Sequence, residues 1–145
     1  MDNAEREPSR YEAALKIAMK AHSGQLDKGG HPYIEHPITV AGMVEGDAKI
    51  VALLHDVIED GGIKLHELSC FSPDIVSAVD AISQRTNETR RAYLGRVKNN
   101  ELARIVKIAD LTHNSDLSRI QNPTKRDRDR VIEYREELTF LKTLQ

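Results

Sequence analysis

Apolar residues recur at three- and four-residue steps through most of this chain, and no strand-length run alternates strictly between apolar and polar. The segment "YEAALKIAMKAH" follows Ser9, which with Glu12 makes an S-x-x-E capping box, and Gly24 stands where that helix would stop. A second helix is expected to begin near Pro37 and run through "ITVAGMV". Gly46 and Asp47 then mark a turn and an N-cap for "AKIVALLHDVIED", which Gly61 and Gly62 close. Ser72 and Pro73 open another helix in the favoured cap-then-proline order. Asn99 and Asn100 break the chain before "ELARIVKIADLTHN", and Thr124 with Asp127 caps a last helix reaching about Leu144. The pattern predicts an all-α bundle. Its one long irregular connection is "SGQLDKGGHPYIE", residues 23 to 35, and long loops inside compact domains often carry function.

Four ionisable side chains interrupt the most apolar of these helices. On a helical wheel His55, Asp56, Glu59 and Asp60 fall within an arc of roughly 140°, while Ile50, Val51, Leu53, Leu54, Val57 and Ile58 occupy the rest. Such a helix should be packed on most sides, where charges are costly unless paired, hydrogen-bonded or bound to metal. The plainer alternative is a solvated polar edge. A second helix repeats the pattern: Ile105, Val106, Ile108, Ala109 and Leu111 predict burial, with Asp110 among them and Asn114 one turn on. The loop adds His31 and His36, the latter before Pro37 at a helix start. Two imidazoles and two or more carboxylates form a mixed set suited to Mn, Fe or Zn rather than to the all-oxygen shell of Ca.

Composition narrows the class. The chain has 145 residues, expected to form one domain from 1 to 145, and its 21 Lys and Arg against 23 Asp and Glu leave a net charge of −2. No bulk attraction to nucleic acid or anionic lipid is implied, so a bound phosphate must be met by a local cluster. The start "MDNAEREPSR" lacks the apolar segment of a secretory signal, and no run approaches the length of a membrane span; a soluble, cytoplasmic protein is expected. Cys70 is the only cysteine, which excludes an intramolecular disulfide, and its neighbours predict a small, inert core residue. The stretch "KRDRDR", 125 to 130, interleaves acid and base and reads as exposed i, i+4 pairs. His22 and His66 read as capping or surface residues, and His113 as an outer support for Asp110.

The order His36, His55 with Asp56, and Asp110 resembles the H…HD…D pattern of the HD-domain metal phosphohydrolases. The longer strings "HPYIEHP", "ALLHDVIED" and "KIADLTHN" resemble the hydrolase domain of bifunctional alarmone synthetase/hydrolases and of stand-alone small alarmone hydrolases, from about Tyr11 to Tyr134. The resemblance implies an HD-domain helical bundle, and no synthetase or regulatory domain is expected in this chain. It also implies removal of the 3′-pyrophosphate of guanosine tetra- or pentaphosphate, and one divalent ion, usually Mn(II). It makes His36, His55, Asp56 and Asp110 the metal ligands and places Glu59 and Asp60 beside the attacking water. Lys28, Asn114, Arg119, Arg130 and Tyr134 match positions that meet the phosphorylated nucleotide.

The loop departs from the family. Where alarmone hydrolases carry a basic residue before the lysine, this chain has Asp27, which cannot stack a guanidinium on guanine and whose charge opposes a polyphosphate. Two alternatives follow: hydrolysis of another phosphorylated nucleotide or cofactor at the same metal site, and a non-catalytic nucleotide sensor. Retention of both Glu59 and Asp60 argues against the sensor.

Overall fold

The computed structural model describes residues 9 to 143, so the opening segment read above as carrying no signal, and Leu144, lie almost wholly or wholly outside the described residues. Seven α-helices account for the architecture among them: α1 (Arg10–Ala21), α2 (Glu35–Gly42), α3 (Asp47–Leu54), α4 (Pro73–Ile82), α5 (Arg90–Lys98), α6 (Glu101–Asn114) and α7 (Lys125–Lys142). Short 3₁₀ turns at Leu65–Leu68 and Leu117–Arg119 join them. No described helix is long and apolar enough to cross a membrane.

Helix starts follow the side-chain chemistry. Ser9, Ser72, Thr89, Asn100 and Thr124 each accept a backbone N–H from three residues on, satisfying a donor that the first turn would leave without a partner. Thr124 and Asp127 form the reciprocal box that their spacing predicts. Helix α5, with Thr89 as its cap, was not marked out by the apolar pattern. Its buried residues are only Tyr93, Leu94 and Val97, too sparse for a clear stripe.

Helix α3 is the hub. Ala48, Ile50, Val51, Ala52, Leu53 and Leu54 are all buried, and the helix packs against α1, α2, α4 and α6. Burying a leucine side chain stabilises by roughly 1.5–3 kcal/mol, so Leu53 and Leu54 anchor the bundle where the His-Asp pair follows. Helix α6 packs on α2, α3, α4, α5 and α7.

Several expectations are corrected. The helix of "AKIVALLHDVIED" does not run to Asp60; its regular part ends at Leu54. The Ala52 carbonyl, which would accept the Asp56 N–H in a continuing helix, is taken by the His55 N–H at 3.4 Å and by His55 Nδ1 at 2.6 Å. Residues 55 to 61 therefore descend through turns, and the single-helix wheel does not describe His55, Asp56, Glu59 and Asp60. Gly61 is demanded there by close approach: a Cβ would meet Ala21 Cβ at 2.6 Å and the Val57 carbonyl oxygen at 2.7 Å. Cys70 is exposed rather than a core residue, because it lies in the turn between the 3₁₀ segment and α4. Ile105 is exposed on the outer side of α6. His22 caps the end of α1 as expected, but it is buried beneath the Tyr33 ring at 4.9 Å. In "KRDRDR", Lys125 and Asp129 do form an exposed i, i+4 pair at 2.8 Å, whereas Asp127 is buried as a cap.

Candidate metal centre and adjoining cavity

Three separate segments bring the sequence-selected ligands together: His36 from the first turn of α2, His55 and Asp56 from the end of α3, and Asp110 from the third turn of α6. His36 Nε2 lies 2.7 Å from Asp110 Oδ1; His55 Nε2 lies 3.0 Å from Asp56 Oδ2 and 3.4 Å from Asp110 Oδ1. One donor atom each from His36, His55 and Asp56 falls within 4.8 Å of the others. His36, His55 and Asp110 are nearly inaccessible to solvent.

The protons in this cluster are constrained. His55 Nδ1 is 2.6 Å from the Ala52 carbonyl, which can only accept, so Nδ1 carries the proton and the neutral ring presents a bare lone pair at Nε2. That nitrogen is buried, has no partner in hydrogen-bonding geometry, and faces two carboxylates. Such an arrangement requires a cation, either a second proton on the ring or a metal ion. Burial disfavours the protonated ring, but Asp56 and Asp110 outweigh it and raise the His55 pKa well above the usual value. Asp56 responds in the opposite sense. Burial pushes its pKa up, yet His55 pulls it down to about 2, helped by a hydrogen bond from the Tyr33 hydroxyl.

His36 Nδ1 lies 2.7 Å from His113 Nδ1, the two rings stacking at 5.0 Å. Burial, aided by Arg119 and His36, pushes the His113 pKa down to about 4, so His113 is neutral at pH 7. When His36 donates to it, His36 Nε2 is freed as a lone pair, in the manner of metal-ligating histidines whose other nitrogen is held. The mixed imidazole and carboxylate donor set fits a divalent first-row ion of the Mn, Fe or Zn type.

Glu59 and Asp60 are exposed, and each offers a carboxylate oxygen within 4.8 Å of Asp56. Desolvation raises the pKa of both, the Asp56 charge adds to it, and Glu59 is partly offset by a hydrogen bond from the Gln84 amide. Neither lines the cavity described next, which holds the residues matched to nucleotide contacts. They border a separate open depression with Ser83, Gln84 and Arg85.

Lys28, Asn114, Arg119, Arg130 and Tyr134 all line one cavity of about 320 Å³, which reaches the cluster at Tyr33 and His36. Asn114 Nδ2 donates to Asp110 Oδ1 at 3.1 Å, joining cavity and cluster. Lys28 is held 3.2 Å from Asp127, and Arg119 is 3.5 Å from Asp27. Asp27 is itself a loop-building residue: its Oδ1 accepts the amides of Gly29 and His31, each at 2.9 Å. The connection read as irregular is thus a tight excursion, with Leu26 and Pro32 bridged and Tyr33 N bonded to Gln25 O. His31 is exposed and takes no part in the cluster.

Tyr33, Lys107 and the Gln84 amide were missed from the sequence. Tyr33 stood between two histidines, and Lys107 stood one helical turn before Asp110, a spacing that makes ion pairs. Nothing in the local sequence marks a backbone amide reaching Glu59 from the end of α4.

No family model matches the chain. It is 33% identical over 130 residues to the guanosine-3′,5′-bis(diphosphate) 3′-pyrophosphohydrolase of Haemophilus influenzae, covering 77% of this chain and 19% of that protein. It is 34% identical over 122 residues to the GTP pyrophosphokinase of Myxococcus xanthus, covering 70% of this chain and 16% of that protein. The chain thus spans less than one fifth of the length of the curated relatives it matches. Among solved structures, a metazoan ortholog of SpoT, described as hydrolysing ppGpp with a role in starvation responses, superposes with a TM-score of 0.73. The match has 22% identity and covers 94% of this chain and 87% of that one. The chain is a homologue of one segment of the guanosine-3′,5′-bis(diphosphate) 3′-pyrophosphohydrolases, built on the all-α HD-domain fold.

Proposed function

We propose that this chain is a metal-dependent phosphohydrolase that removes the 3′-pyrophosphate of guanosine tetra- or pentaphosphate, with Mn(II) as its ion. The carrying observation is the buried His55 Nε2, facing Asp56 and Asp110 without a hydrogen-bond partner, beside a cavity lined by Lys28, Arg119 and Arg130. The relatives' activity supports the same reading.

His36, His55, Asp56 and Asp110 would hold the ion. When bound, a divalent ion supplies Lewis acidity toward a phosphoryl oxygen and eases deprotonation of water. The rest falls to the chain. Glu59 or Asp60 takes a proton from the attacking water, and their raised pKa values make them better acceptors than ordinary carboxylates. The water oxygen bonds to phosphorus as the bond to the ribose 3′-oxygen breaks, and that oxygen leaves as a hydroxyl on receiving, through solvent, the proton taken up by the carboxylate. Lys28, Arg119 and Arg130 meet phosphate charge, and Asn114 and Tyr134 hold the nucleoside.

The test is turnover of Mn-loaded protein on guanosine tetraphosphate, with pyrophosphate and guanosine diphosphate quantified. Glu59→Gln and Asp60→Asn should keep the metal while losing on the order of 10² to 10⁴ in rate. Parental rates in both variants would remove the water-activation role. Asp27 in the cavity wall favours a second reading, another 3′-phosphorylated nucleotide as substrate, so the assay should include a panel of these and of dinucleotide cofactors. Tight nucleotide binding with no turnover of any of them would indicate the sensor instead.

A further inference from the structure

Lys107 is the one buried lysine among the described residues, only 9% exposed, and the reaction outlined above gives it no task. Its ammonium lies 2.9 Å from Asp110 Oδ2 and 5.3 Å from the centre of the Tyr93 ring. The two oxygens of Asp110 are therefore divided. Oδ2 belongs to Lys107, while Oδ1 faces the cluster, with His36 Nε2 at 2.7 Å, Asn114 Nδ2 at 3.1 Å and His55 Nε2 at 3.4 Å.

We propose that Lys107 is a positioning residue that restricts Asp110 to one-oxygen coordination of the metal ion; this rests on the metallohydrolase reading given above. Burying an ammonium carries a large desolvation penalty, and placing it one carboxylate away from a divalent cation adds repulsion. A core position with no further duty is filled more stably by an apolar side chain of similar length. The lysine is intelligible if Oδ2 must be kept occupied. A free carboxylate can chelate through both oxygens, filling a coordination position that a catalytic site keeps open for water or substrate. The same ammonium matters for charge. Asp56 and Asp110 together match the charge of a divalent ion, and with Glu59 and Asp60 close to Asp56 the lysine offsets part of the carboxylate charge that a polyanionic phosphate would meet.

The experiment loads the parent, Lys107→Met and Lys107→Gln with Co(II) and records visible absorption, whose intensity falls as coordination number rises. Lys107→Met, which frees Oδ2, should weaken the Co(II) bands and lower turnover by roughly 10- to 100-fold. Lys107→Gln keeps an N–H donor on a side chain one bond shorter and should give a spectrum between the parent's and the methionine variant's. A parental spectrum in the methionine variant would overturn the proposal. A crystal structure of the Co(II)-loaded parent decides the matter even if that variant does not fold: Asp110 bound through Oδ1 alone, with Oδ2 on Lys107, supports it, and both oxygens on the ion overturn it. If the parent binds no divalent ion, the metallohydrolase reading falls as well, whereas two-oxygen binding removes only the role of Lys107.

Discussion

Replacing Gly61 by alanine tests whether the turn carrying His55 and Asp56 is held by its fit against α1. An added Cβ would lie 2.6 Å from Ala21 Cβ, 2.7 Å from the Val57 carbonyl oxygen and 3.2 Å from Val57 Cα. Carbon contacts settle at about 3.5–4.0 Å, so the turn or α1 must move by roughly 1 Å. Overpacking of this kind costs about 1–3 kcal/mol. In a domain of this size that corresponds to a melting temperature lower by roughly 3–10 °C. Because the turn presents the His-Asp pair, affinity for Mn(II) should fall in the same variant. Thermal unfolding by circular dichroism and calorimetric metal titration measure the two effects. Adding Ala21→Gly removes the first contact but leaves the backbone oxygen of Val57, so the double variant should recover only part of the loss. A Gly61→Ala protein that melts with the parent and binds metal equally well would refute the reasoning.

Tyr33→Phe removes the hydroxyl donor on Asp56 and should weaken divalent-ion binding by about 10- to 100-fold, measured by titration; an unchanged affinity would leave Tyr33 with packing alone. Asp27→Arg should raise the Michaelis constant for the nucleotide rather than lower it, since it deletes the acceptor for two loop amides and the partner of Arg119, while Asp27→Asn should stay near the parent. Steady-state kinetics of the two variants separate these outcomes. In the metal-free protein, Asp56 has a folded pKa of about 2 against an ordinary 3.8, so its contribution to stability is complete above about pH 4 and is lost as the pH falls toward 2. Urea midpoints measured across that window should slope downward with acid in the parent, and less steeply in Asp56→Asn.

The helical class was readable because caps and apolar spacing agree, as at Ser72-Pro73 and Thr124-Asp127. The convergence of His36, His55, Asp56 and Asp110 was readable as a pattern, because ionisable residues among buried neighbours need a common reason. The path of the chain after Leu54 was not: it turns on a histidine side chain competing for its own helix's carbonyl, a contact that periodicity does not register. The same limit explains why the wheel does not show that Glu59 and Asp60 border a second depression beside Asp56. Asp27 read only as a charge in a binding loop; that it also builds the loop by accepting two backbone amides is a contact the sequence pattern does not register. Lys107 went unremarked because a lysine in a helix is ordinarily solvated, and only tertiary packing shows that this one is not.

The ligands proposed for the ion come from α2, the end of α3 and α6, segments far apart along the chain. An ion held by all three would act as a reversible cross-link, closing the long span from His36 to Asp110 that the unfolded chain leaves open. Its free concentration then becomes a variable of folding, since a ligand that binds only the native state stabilises it by an amount that grows as the logarithm of one plus the ratio of its free concentration to its Kd. Amide hydrogens of α2 and α6 should consequently slow their exchange together as metal is added, while those of the outer turns of α7 keep their own rate.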